Sequence, residues 1–195
     1  MDIKRPKCIK KVTVAENDFV RINMDILRFS DGNEGSHVKV THQNSGGIVL
    51  ILINENKEIY LHYAYHYAAN VTQLEFIRGF SDANETSVES VKRELSEEIL
   101  YGYRIIREPL LVGKIYPDST ILGNSAKIYL MEIEAGDKLK ERKDRTEALG
   151  DGKFYSVEDF EELICKGEIT DGFTLASYSL LKTNKMLTNH RELMT

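Results

Sequence analysis

Cysteine is scarce in this chain. Its 195 residues hold two, Cys8 and Cys165, too few and too far apart for a disulfide framework or a cysteine-based zinc site. A reducing, cytoplasmic compartment is the expectation. Long apolar runs are also missing: nothing approaches the roughly 20 residues of a membrane-spanning helix. The opening Met-Asp-Ile-Lys-Arg-Pro-Lys lacks the apolar core of a secretory signal, so no membrane partner is expected. Positive charge is not in excess either. The net charge is −5, whereas polyanion binding leans on clustered Lys and Arg, so no nucleic-acid partner is expected. The lysine-rich pieces at 4–11 and 138–143 read as solvated ends or loops. There are no internal repeats and no low-complexity segment. The length suits one domain with a sizeable core, divided here into an N-terminal β extension over 1–44 and a main domain over 45–195.

What the chain does have is a concentration of spaced carboxylates between Gly79 and Tyr103. Thr86 with Glu89 forms a capping box, which predicts a helix beginning near Ser87. Val88, Val91, Leu95 and Ile99 recur at three and four residues and predict one buried stripe. Glu94, Glu97 and Glu98 share the same spacing and form a second arc beside it. Clustered carboxylates raise one another's pKa unless a cation neutralises them. The spacing alone leaves two readings open, a solvated acidic helix face or a site for a hard divalent metal.

Around that unit the chain alternates between strand and helix signals. Short β-like runs at 11–14, 19–23 and 38–41, with a turn at Asp31-Gly32-Asn33, predict a small antiparallel sheet. Ile48-Val-Leu-Ile-Leu-Ile53 is a continuous apolar run that reads as a buried central strand. A turn at 54–57 leads to a second strand, Ile59 to Tyr67. Tyr63, Tyr65 and Tyr67 share one face of it, and His62, Ala64 and His66 share the other. Both histidines read as core or interface packing. Further strands are predicted at 74–79, 110–116, 126–134 and from Phe154, with a polar loop over 135–151. Ser156 and the Asp171-Gly172 turn introduce two closing helices, with Leu175, Tyr178, Leu181 and Leu187 mostly inward.

The carboxylate segment resembles the Nudix box, G-x5-E-x7-R-E-U-x-E-E-x-G-U, where U is aliphatic or aromatic. Gly79, Glu85, Arg93, Glu94, Leu95, Glu97 and Glu98 fall at the required spacing. Chance agreement at the glycine and charged positions has odds on the order of one in a hundred thousand. One position departs: Leu100 stands where the box ends in glycine, and Gly102 follows two residues late. This predicts a helix prolonged by about half a turn before a left-handed glycine closes it. Leu74-Glu-Phe-Ile-Arg78-Gly79-Phe80 is similar to the lead-in of the family branch acting on ADP-ribose and other ADP-sugars, with Ile77 in place of the usual proline. Pro117, fifteen residues after Gly102, and the stretch from Ile169 to Ala176 resemble the same branch. His66 stands where many relatives have arginine.

The resemblance implies an α/β fold: a Nudix-type α/β/α sandwich with a mixed sheet, preceded by a small N-terminal antiparallel β region. It implies a hydrolase that splits a nucleoside diphosphate joined to another moiety, ADP-ribose or a related ADP-sugar. Mg²⁺ or Mn²⁺ would be held by Glu94, Glu97, Glu98 and the carbonyl of Gly79. Arg93 would orient a carboxylate, Glu85 would anchor the loop, and Glu97 and Glu98 would take part in catalysis. Glu147 is the candidate general base, with Glu141 and Asp144 behind it. Arg78, His66, Pro117 and Asp118 are the candidate substrate contacts. Tyr65, Tyr67 and Phe80 are either base-stacking or packing residues. The N-terminal β region would form a homodimer. Three alternatives stay open: a non-catalytic nucleotide sensor on the same fold, a hydrolase of another nucleotide sugar or dinucleotide, and an unrelated acidic-helix protein.

Overall fold

The computed structural model of the protein describes residues 3–43, 46–82, 84–138 and 148–186. The chain begins with four strands, β1 (Lys7–Lys10), β2 (Thr13–Glu16), β3 (Val20–Arg28) and β4 (Glu34–His42), in one antiparallel sheet. β3 pairs along its whole length with β4 on one side, and with β1 and β2 on the other. The tight return from β3 to β4 relies on Gly32 at φ 90, a conformation open to glycine at little cost. No residue of these four strands is fully buried.

The main sheet is built on β5 (Gly47–Ile53), which runs parallel to β10 (Ala126–Lys138) and antiparallel to β6 (Ile59–His66) and β8 (Ile77–Phe80). β7 (Val71–Glu75) and β11 (Leu149–Tyr155) flank β6, and β9 (Tyr101–Ile115) lies on the far side of β10. The apolar run of β5 is continuous because both its faces are covered. Val49, Ile51 and Ile53 pack with Phe160, Tyr178 and Leu181 beneath α2 (Val157–Cys165) and α3 (Gly172–Thr183). Ile48, Leu50 and Leu52 pack with Val91, Leu95 and Ile99 beneath α1 (Ser87–Glu98). The expected α/β/α layering, with a mixed sheet and a small antiparallel N-terminal sheet, is the arrangement observed. Tyr60 belongs to the α1 side of the core, so strand alternation carries His62, Ala64 and His66 to that side as well.

Three local expectations are corrected. The helix does not run on toward Gly102: α1 stops at Glu98, and Ile99 takes an extended conformation while its N–H still donates to the Leu95 carbonyl at 3.0 Å. Ile99 and Leu100 then insert into the core, 6% and 7% exposed. Burial of that apolar pair turns the chain without a left-handed residue, and Gly102 lies inside β9. Val88 is 38% exposed and lies off the stripe. The buried face of α1 is made of Ser90, Val91, Glu94, Leu95 and Glu98, so two of the carboxylates lie on the face turned toward the core. The β9 hairpin is also longer than the apolar run at 110–116 suggests, since Tyr101 to Arg107 pair with β10 through polar, half-exposed residues.

Candidate active site

The loop between β8 and α1 is held by a single cation. Arg93 Nε donates to both carboxylate oxygens of Glu85, at 3.2 and 3.3 Å. Its Nη1 donates to Glu94 at 2.9 Å and to Glu97 at 3.0 Å, and its Nη2 donates to the Phe80 carbonyl at 2.8 Å. Ser90 Oγ donates to Glu85 Oε2 at 3.0 Å. Burial opposes the charge on Arg93, but the carboxylates of Glu94 and Glu85 outweigh it and hold its pKa above the ordinary arginine value. Arg93 is thus a fixed cation that gathers three glutamates.

Gly79 is the counterpart of that arrangement. A Cβ at this position would lie 1.9 Å from Glu94 Oε1 and 2.1 Å from its Cδ. The carboxylate therefore sits directly on the glycine backbone, in a cradle that any side chain would fill. Glu94 is 8% exposed and Glu98 3%. Glu98 faces His62, whose Nδ1 is 3.4 Å from Glu98 Oε2.

Gly79, Glu98 and His62 line a cavity of about 500 Å³ together with His66, Glu75 and Arg78. Phe80, Tyr65, Tyr67 and Phe173 add aromatic surface. His42 from β4 rests against the Phe80 ring, centroids 4.5 Å apart, so the N-terminal sheet meets the cavity rim.

On the same wall, Glu75 accepts from Arg78 Nε at 2.9 Å and from Nη2 at 3.1 Å. His66 Nε2 lies 2.6 Å from Glu75 and 2.7 Å from Arg78 Nη2. Asp171 caps α3 and stands 3.6 Å from Arg78 Nη1, and the guanidinium lies over Phe173. Burial raises the pKa of the Glu75 carboxyl above its usual value despite the opposing pull of Arg78 and His66.

Among the described residues, no three His, Cys, Asp or Glu side chains converge as a ready-made metal cage. Glu94 and Glu97 are turned onto Arg93, while Glu98 points to the cavity. The donor set itself suits a hard divalent cation: three carboxylates within two turns of one helix, one of them lodged against a glycine backbone that leaves room for nothing larger.

The structure thus brings together Gly79, Glu85, Arg93, Glu94, Glu97 and Glu98, and places Arg78 and His66 on the cavity wall. Pro117 and Asp118 are not brought there. They lie on an exposed turn, where Asp118 Oδ1 accepts from Thr120 N–H and the following residues pair with Val40 of β4. Glu147, Glu141 and Asp144 lie outside the described residues. Sequence reasoning read His62 as packing and gave Glu75 and Asp171 no site role. The period-two pattern of β6 had already put His62 on the same face as His66, but nothing local showed that Glu98 would meet it.

No family model and no curated protein matches the sequence. A solved structure described as an ADP compounds hydrolase superposes on it with a TM-score of 0.75, over 95% of this chain and 97% of that one, at 16% sequence identity. At that identity the likeness shows the fold.

Proposed function

We propose that the protein is a divalent-metal-dependent Nudix hydrolase that splits the diphosphate of a nucleoside diphosphate joined to another moiety, with ADP-ribose or a related ADP-sugar as the preferred substrate. The observation that carries this reading is the Arg93 hub: one guanidinium holds Glu85, Glu94 and Glu97 at box spacing, with Glu94 pressed onto Gly79 at the cavity wall. A solvated acidic helix would not bury Glu94 and Glu98, nor need glycine opposite one of them. The fold neighbour described as an ADP compounds hydrolase supports the same substrate class.

Glu94, Glu97 and Glu98, with the Gly79 carbonyl, would hold Mg²⁺ or Mn²⁺, which supplies neutralisation of the diphosphate oxygens and a water acidic enough to ionise near neutral pH. Arg93 orients Glu94 and Glu97 through its Nη1. The aromatic rings at Tyr65, Tyr67 and Phe80 give a base faces to stack on. In the reaction, water oxygen bonds to one phosphorus and the bridging P–O bond breaks. The bridging oxygen leaves with the other phosphate, and the water proton passes to a base. The products are a nucleoside monophosphate and a sugar phosphate. A homodimer through the N-terminal sheet completes the proposal, supported by the exposure of Val14 on β2, Phe19 in the β2–β3 connection, Met24 on β3 and Val38 on β4.

The test is incubation with Mg²⁺ and a panel of nucleoside diphosphate sugars and dinucleotides, with nucleoside monophosphate as the readout. Release from ADP-sugars by the wild type, lost in Glu97→Gln, is expected. Binding of the same ligands without release from any of them would favour a nucleotide sensor.

A further inference from the structure

His66 Nε2 occupies a point where a donor and an acceptor converge: Arg78 Nη2 at 2.7 Å and Glu75 Oε2 at 2.6 Å. A neutral imidazole nitrogen either donates or accepts. Facing Glu75 it must carry a proton, and facing Arg78 it must not, so the ring satisfies one partner at the expense of the other. A hydroxyl has one proton to give and lone pairs to receive another, so a hydroxyl at this point satisfies both.

The surrounding charge narrows the ligand further. Glu75, 3% exposed, is bound by Arg78 through two nitrogens, and Asp171 stands on the guanidinium's other side. Two carboxylates face one guanidinium, so this part of the cavity does not attract a phosphate. Glu75 is the cross-strand partner of His62, and Arg78 directly precedes Gly79 in β8, so the point adjoins the wall that carries Glu98. A sugar attached to a diphosphate held beside Glu98 is next to that point.

We propose that Glu75 and Arg78 form a subsite for a sugar hydroxyl of the group joined to the diphosphate, seated where His66 Nε2 now lies, with His66 as a placeholder that a ligand displaces. The proposal rests on the diphosphate reading above. It makes the cavity selective for an unmodified sugar and hostile to a phosphate ester on that hydroxyl. His66 swings aside readily because its side chain is 31% exposed, whereas Arg78 is held by Asp171 and Phe173 and itself holds the buried Glu75 through two nitrogens.

The experiment compares ADP-ribose, its analogues lacking the 2-hydroxyl of the adenosine ribose or of the terminal ribose, and its 2′-phosphate ester. Each is tested for turnover with Mg²⁺ and, separately, for equilibrium binding by calorimetry without added metal. Removing the recognised hydroxyl should weaken the wild type by about ten-fold, the scale of one hydrogen bond to a charged group. The loss is expected for the analogue altered in the terminal ribose; a loss confined to the adenosine ribose would overturn the assignment to the joined group. Glu75→Gln should lose that discrimination. His66→Ala should keep it and bind the parent ligand at least as tightly, since the competing ring is gone. Binding selectivity without turnover would leave the subsite standing and remove the hydrolase reading. Equal handling of all analogues by the wild type, or no binding of any, would overturn the subsite. Loss of discrimination in His66→Ala would overturn the placeholder role.

Discussion

Gly79→Ala is the substitution that most directly probes why the site has its shape. Gly79 is not among the glycines at positive φ, so its backbone accepts alanine without strain. The nearest obstacle is the Glu94 carboxylate, 1.9 Å from the new methyl, where ordinary contact begins near 3.4 Å. Glu94 must move, and its 2.9 Å bond from Arg93 must lengthen or break. Overpacking of this kind costs about 2 kcal/mol, which in a chain of this size lowers Tm by about 4–8 °C. The assay is a double-mutant cycle of thermal and urea unfolding over wild type, Gly79→Ala, Glu94→Ala and the double variant. With Glu94 truncated the methyl has room, so the second substitution should cost less than about 0.5 kcal/mol. A coupling of about 1.5 kcal/mol or more is the expected result. Strict additivity would refute the claim that glycine is there to admit the carboxylate.

Four further outcomes follow from the same geometry. Arg93→Lys keeps the charge but loses the planar fork that reaches Glu85, Glu94 and Glu97, so kcat should fall by about 100-fold, as for a misplacement of about 1 Å, with little change in KM. Thr86→Ala removes the cap on α1, where Thr86 Oγ1 accepts from the Glu89 N–H, and should lower stability by about 1 kcal/mol as read by urea unfolding. Glu75 has a folded pKa above its ordinary 4.5, chiefly from burial. Its stabilising contribution is therefore present below the unfolded pKa and is lost as pH rises through the folded one. The stability of wild type relative to Glu75→Gln should decline with rising pH above about 4.5, and a difference that grows with pH would be contrary. Equilibrium sedimentation should show a dimer, and a monomer at all concentrations would exclude the proposed assembly.

Much of the framework was legible because periodicity reports burial. The run Ile48 to Ile53 is apolar at every position because helices cover both faces of β5, and the capping residues Thr86, Ser156 and Asp171 mark all three described helix starts. Where the chain failed to announce itself, long-range contacts decided. Leu100 removes a helix-ending glycine, yet burial of Ile99 and Leu100 ends the helix earlier, not later. Val88 fits the helical period but lies off the buried face, because Glu94 and Glu98 take that side. Burying a carboxylate is unfavourable without a partner; Arg93 beside Glu94 is legible in the box, but His62 beside Glu98 comes from a strand whose proximity no local pattern encodes. His62 looked like packing for the same reason. Pro117 and Asp118 carry a motif signal, but the turn they form faces β4 instead of the cavity within the chain.

The central claim is that the Arg93 hub and the carboxylates of α1 serve diphosphate hydrolysis. Its most direct test is the appearance of AMP from ADP-ribose under saturating Mg²⁺, measured in parallel for wild type, Glu97→Gln and Glu98→Gln with folding verified by thermal melting. Stoichiometric AMP and ribose phosphate from the wild type, with turnover reduced by at least about 100-fold in both folded variants, is the expected result. Wild-type turnover preserved in both variants, or no AMP from any of the three, would contradict it.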